Sequence, residues 1–128
     1  MLGAVIHAPG DVRIENVPHP EIIHPTDAII RTVATCVCGS DLWNYRGINP
    51  VTEPHPMGHE YVGIVEEIGG EVTTVKPGQF VIGSFATSDN TCANCRNGYQ
   101  SNCVHREFLS TCQAEYVRIP TADGSRPA

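Results

Sequence analysis

Residues 61–85 read YVGIVEEIGGEVTTVKPGQFVIGSF, and this stretch decides the fold class. Tyr61 to Ile68 alternates between apolar and small or polar side chains, the period of a half-exposed strand and not of a helix. Gly69-Gly70 makes a turn, Lys76-Pro77-Gly78 makes another, and Phe80 to Phe85 continues as a further strand. The same grammar extends in both directions. Leu2 to His7 is a β-like run that Pro9-Gly10-Asp11 turns into Val12–Val17, a hairpin partner. Ala28 to Val37 is rich in β-branched residues and predicts a buried strand. Ala114 to Ile119 predicts a last one.

Between the strands, Gly39 to Tyr45 suits one or two helical turns, with Ser40 or Asp41 as a cap. The segment PHPEIIHP is extended, and Pro50, Pro54 and Pro56 make residues 49–57 an extended loop. Many short strands joined by turns predict a mainly β fold, a small barrel or sandwich.

The bulk numbers agree. A chain of 128 residues is one domain by length, and 12 Gly with 10 Pro suit a turn-rich β fold better than a helix bundle. Net charge is −6 and the eight Lys and Arg are scattered, which excludes a phosphate-neutralising patch and a nucleic-acid partner. The N-terminus MLGAVIHAPGDVR has no basic flank and only a short apolar run, so neither a signal peptide nor a membrane span is expected. A cytoplasmic setting follows as the expectation. There, six cysteines read as metal ligands or free thiols, with a disulfide framework as the alternative.

Two clusters carry chemistry. Cys38-Gly39-Ser40-Asp41 and Gly58-His59-Glu60 bring a thiol, an imidazole and a carboxylate to loop or strand ends, and all three are zinc donors. Alone, this pair of motifs is equally a buried thiol and a loop histidine. The second cluster is DNTCANCRNGYQSNC, residues 89–103, with Cys92, Cys95 and Cys103 spaced C-x2-C-x7-C: three thiols where a closed tetrahedral site takes four donors. His7, His19, His24, His55 and His105 fall in no ligand motif and read as strand or loop histidines, His55 being nearest the first cluster in sequence. Neither a Gly-x-Gly-x-x-Gly nor a Walker motif occurs.

Taken together, CGSD at 38–41, GHE at 58–60, and the run GIVEEIGGEVTTVKPGQFV resemble the zinc-dependent alcohol dehydrogenases of the medium-chain dehydrogenase/reductase superfamily, over Val5 to about Pro120. The resemblance implies a GroES-like β-barrel with short helices and a zinc-binding loop, spanning 1–128 as the N-terminal part of the catalytic domain. It implies Cys38 and His59 as ligands of a catalytic zinc, with Glu60 as a ligand or an exchangeable one. Zinc would act as a Lewis acid toward a small alcohol or carbonyl substrate, with hydride passing to or from NAD or NADP. Ser40 would pass the substrate's proton, or else only cap a helix, and Asp41 would orient His59. Many family members continue the proton relay with a His five residues after the ligand Cys; here Trp43 stands there and cannot accept a proton. Either the relay runs from Ser40 to cofactor and water, or the site takes a different substrate. Trp43 and Tyr45 line a pocket or pack the barrel.

For the loop, the family pattern of four cysteines places Cys92, Cys95 and Cys103 as the second to fourth ligands of a structural zinc and Asp89 at the first position. Competing readings are a turn-forming Asp89, a Cys92–Cys95 disulfide, and Cys112 as the fourth thiolate. The Rossmann domain that would bind NAD or NADP is absent from these residues, so the expectation is an oxidoreductase whose activity needs a longer chain. A stand-alone, non-enzymatic zinc module and an inactive truncated fragment are the alternatives; Cys38, His59 and Glu60 together argue against a zinc-free reductase. Self-association, or contact through an exposed Rossmann-docking face, is left open.

Overall fold

A computed structural model describes residues 1–125. The chain forms two antiparallel sheets. β1 (Leu2–Ala8) pairs with β2 (Asp11–Asn16) and with the two-residue β4 (His55–Pro56), giving the order β2-β1-β4. The second sheet has the order β6-β5-β3-β7, from β3 (Ala28–Thr35), β5 (Tyr61–Ile68), β6 (Phe80–Gly83) and β7 (Tyr116–Ile119). A bridge between Gly3 and Ala114, and the hydrogen bond from Ala4 N to the Gln113 carbonyl (2.8 Å), join the two sheets. The fold is mainly β, although the two sheets do not close into the continuous barrel that the sequence resemblance implies.

β5 shows the expected alternation: Tyr61, Gly63 and Val65 are buried while Val62 and Ile64 are partly exposed. The core gathers Ile30, Tyr61, Val65, Val72, Val75 and Val81 with Val117 and Ile119. Each fully buried aliphatic side chain contributes about 1.5–3 kcal/mol relative to exposure. β3 departs from the sequence expectation of a wholly buried strand. Ala28, Ile29 and Ile30 are buried, but Arg31 and Val33–Thr35 are exposed, since the core cluster lies against the first half of the strand. Asp27, fully buried just before β3, anchors the entry. Its Oδ2 accepts from the backbone N–H groups of Ile23 (3.0 Å) and His24 (2.9 Å) and from Arg118 Nη1 (2.9 Å).

Register decides where the motifs meet. Because β3 and β5 are antiparallel with Thr35 opposite Tyr61, the end of β3 and the start of β5 emerge together. Tyr61 also pairs with Gly83, so the chain leaving β6 emerges at that end as well. Gly83 is required there, because any Cβ would overlap the Tyr61 ring. Three chain segments far apart in sequence, 36–41, 58–60 and 84–86, thus converge at one edge of the sheet.

Candidate functional site

At that edge, candidate ligand atoms of Cys38, His59 and Glu60 all lie within 4.8 Å of one another, and each residue is partly exposed. Thr35 Oγ1 donates to the Glu60 carbonyl (2.6 Å), tying the two strand ends together. Gly58 sets the direction of approach. Its φ of +90° lies in the left-handed region that favours glycine, and a Cβ there would stand 2.7 Å from the Gln113 backbone nitrogen.

Helix α1 (Asp41–Tyr45) begins three residues after Cys38. Ser40 occupies the N-cap position but makes no side-chain capping bond; its Oγ lies 3.3 Å from His59 Nε2. Asp41 supplies the local order instead: Oδ2 accepts from the Cys38 backbone N–H (2.9 Å), and Oδ1 stands 3.5 Å from His59 Nδ1. One carboxylate therefore touches the residues on both sides of the cluster. The Cys38 thiol is held below its ordinary pKa, first by its hydrogen bond with the Ser40 side chain, then by the Ser40 backbone N–H and by His59. A thiol poised toward thiolate, an imidazole and a carboxylate within reach of one another form a donor set that suits zinc.

The surroundings are aromatic. The Phe85 ring stands edge-on to His59 (6.2 Å between centroids, 68°) and stacks on Phe108 (5.8 Å, 4°). Trp43 and Tyr45 are both exposed, so neither packs a barrel interior. A cavity of about 200 Å³ is lined by Ser40, Asp41, Asn44, His55, His59 and Ser110 among others. His55 is thus on the site's flank, with Nε2 3.4 Å from Asn44 Nδ2 and Nδ1 3.0 Å from the Glu53 carbonyl oxygen.

The cysteine loop runs between β6 and β7 and contains α2 (Ala93–Arg96) and a 3-10 turn, Gln100–Asn102. Ligand atoms of Asp89, Cys92, Cys95 and Cys103 all lie within 4.8 Å of one another, with Cys95 and Cys103 buried. The thiols are free, and Cys92 and Cys95 stand 3.5 Å apart, so no disulfide joins them. Cys112 lies in the hydrophobic core, its thiol pushed up to about 12 by burial, and is no part of this cluster. Backbone N–H groups of Cys95 and Val104 draw Cys92 down to about 7, whereas burial and the neighbouring thiols push Cys95 up to about 11. Four donors crowded this closely are what a bound cation would reconcile.

Asp89 is more than a turn former. Hydrogen bonds from the Thr91 side chain and backbone, and then His105 and Cys103, hold its carboxyl well below the usual range. His105, which falls in no sequence motif, has Nδ1 2.6 Å from Asp89 Oδ2. Sequence offers one clue to it, its position two residues after Cys103, and that is too short a signal to read alone.

Comparisons with known proteins agree on one family. The model of the alcohol dehydrogenase GroES-like domain matches residues 24–125. Zinc-type alcohol dehydrogenase B of Aspergillus flavus is 39% identical over 98% of this chain, which spans 30% of that protein. The solved alcohol dehydrogenase TADH of Thermus sp. ATN1 superposes with a TM-score of 0.88 at 33% identity, covering 94% of this chain and 38% of its own. A zinc-binding dehydrogenase of Sinorhizobium meliloti, solved bound to NADP, superposes with a TM-score of 0.71 at 30% identity, over 94% of this chain and 36% of its own. Among the described residues, no helix is long and apolar enough to cross a membrane. With the sheet order, the two donor clusters and the match over most of its length in agreement, the chain belongs to the alcohol dehydrogenase GroES-like domain family.

Proposed function

We propose that these residues form the zinc-bearing part of an NAD(P)-linked alcohol dehydrogenase that interconverts an alcohol with an aldehyde or ketone. The observation that carries the reading is the meeting of Cys38, His59 and Glu60 at one sheet edge, with Ser40 Oγ 3.3 Å from His59 Nε2. Zinc held there by Cys38 and His59, with Glu60 as ligand or exchangeable neighbour, would supply Lewis-acid polarisation of the substrate oxygen. The protein's own groups do the rest. Asp41 steadies both ligands, through the Cys38 backbone N–H and the far nitrogen of His59. Ser40 places a hydroxyl beside the ligand imidazole, where it can take the proton of a substrate alcohol. Phe85 and Phe108 present an apolar wall beside His59 that suits a substrate with a hydrocarbon body.

The cysteine loop takes the structural role. Asp89, Cys92, Cys95 and Cys103 offer four donors, which fills a tetrahedral shell and leaves no position for substrate. The NADP-bound relative supports a nicotinamide partner held by parts of the protein outside the domain described here. Zinc analysis with alcohol turnover in a protein of its relatives' full length tests the reading. Two zincs per chain, one of them lost with turnover in Cys38→Ser, are expected. Metal in the loop but none at Cys38 and His59 would favour a non-enzymatic zinc module instead.

A further inference from the structure

We infer that His105, together with Thr91, is a positioning residue that fixes Asp89 as a one-oxygen metal donor; this rests on the reading of the cysteine loop as a zinc site. The two carboxylate oxygens of Asp89 have different surroundings. Oδ1 faces the sulfurs, 3.3 Å from Cys103 Sγ and 3.9 Å from Cys95 Sγ, and also accepts from the Thr91 backbone N–H (3.0 Å). Oδ2 is turned outward to Thr91 Oγ1 (2.6 Å) and His105 Nδ1 (2.6 Å). An ionised carboxylate only accepts hydrogen bonds, so Nδ1 of His105 carries the proton in this contact.

A thiolate ligand has one donor atom and needs no such arrangement. A carboxylate has two oxygens on a broad, nearly two-fold torsion, and its choice of oxygen must be made by neighbours. Two short bonds on Oδ2 make that choice, leaving Oδ1 for the cation. His105 reaches a second donor as well, since its backbone N–H lies 3.4 Å from Cys103 Sγ. Packing does not account for the ring's placement, because its side chain is 63% exposed. The loop that substitutes one carboxylate for one thiolate thus also carries the two hydrogen-bond donors which that substitution requires.

The test measures zinc affinity of the loop in the full chain by competition with a chromophoric chelator. His105→Ala is expected to weaken it by about 10- to 100-fold, the usual effect of removing a partner of a metal ligand. His105→Asn keeps an N–H donor at the Nδ1 position and should restore most of the loss, and Thr91→Val should weaken binding as His105→Ala does. In an Asp89→Cys background, the His105→Ala penalty should vanish. The visible bands of Co2+ bound in place of zinc should shift in His105→Ala with the far-UV circular dichroism unchanged. Unaltered zinc affinity in His105→Ala overturns the inference, and so does an equal penalty in the Asp89→Cys background, which would mark general support of the loop. Failure of the underlying reading looks different: the loop of the unmodified chain would then hold no zinc, and Cys103→Ser would leave the zinc content unchanged.

Discussion

Asp123→Asn should destabilise the protein by about 1–2 kcal/mol at neutral pH, with a penalty that fades in acid. The Asp123 carboxylate collects five hydrogen bonds from the loop between β5 and β6. Thr73 N–H reaches both oxygens (3.0 Å each) and Thr73 Oγ1 reaches Oδ2 (2.6 Å), while Thr74 N–H (2.9 Å) and Thr74 Oγ1 (2.8 Å) reach Oδ1. Burial alone would raise its pKa, but these donors overrule burial and take it from 3.8 to about 2. A displacement of that size corresponds to at most about 2.4 kcal/mol. Water around a half-buried carboxylate reduces this to about 1–2 kcal/mol. The folded value lies below the unfolded one, so the stabilisation is complete above pH of about 4 and is lost as pH falls toward about 2. Urea unfolding followed by circular dichroism, with EDTA present to remove metal ligation, should show the gap between wild type and Asp123→Asn roughly halved at pH of about 3. A gap that stays constant from pH 7 to pH 3 would refute the assignment of the effect to the charged acceptor.

Three other substitutions probe the site. Cys38→Ser should remove one zinc per chain while leaving the loop metal in place, as read by elemental analysis; unchanged stoichiometry would sink the ligand assignment. In a protein of full family length, Ser40→Ala should lower kcat by about 10²- to 10⁴-fold with zinc content intact, the range for loss of a positioned proton acceptor; normal turnover would leave Ser40 without a role. Gly58→Ala should cost about 2–4 kcal/mol, from left-handed strain and collision with the Gln113 backbone, measured as a shifted urea midpoint, and a neutral outcome would contradict the geometry at His59.

What the sequence makes legible is what local rules control. The alternation of Tyr61–Ile68 names both the strand and its buried face, and Pro9-Gly10-Asp11 names the hairpin that pairs Ile6 with Val12. The family spacing groups Asp89 with Cys92, Cys95 and Cys103, and the four do lie together, because residues of one short loop are held near their neighbours in sequence. Contacts that depend on the fold are not legible in this way. Ser40 in sequence is a plausible cap, yet Asp41 does the local bonding, because the Ser40 hydroxyl has a partner 19 residues away in His59. The exposure of Arg31 and Val33–Thr35 is equally hidden, since the composition of β3 is that of a buried strand and only the position of the core shows which half is covered. His105 is the clearest case: its meaning depends on a carboxylate 16 residues earlier that the loop folds back to meet.

The two donor clusters differ in how they are held, and that difference predicts how they depend on metal. Cys38, His59 and Glu60 project from the ends of hydrogen-bonded strands, so the sheet sets their spacing whether or not a cation is present. If all three partly exposed donors held a metal, they would leave a tetrahedral position open, as the proposed substrate site requires. The loop cluster has four donors, two of them buried, on a segment whose regular structure is one short helix and one 3-10 turn, with Tyr99 and Val104 exposed. On the proposed zinc reading, a bound metal would supply much of the energy that orders such a segment. The loop is nonetheless coupled to the open site. Its returning segment, residues 107–109, bonds back to β6's exit through Thr87 N–H to the Glu107 carbonyl and Leu109 N–H to the Phe85 carbonyl (2.9 Å each), and it carries Phe108 onto Phe85 beside His59. In a protein of full family length, stripping metal from the loop alone should therefore spare a zinc held by Cys38 and His59 but loosen the aromatic wall, raising KM for apolar substrates more than it lowers kcat; an unchanged KM would refute the coupling.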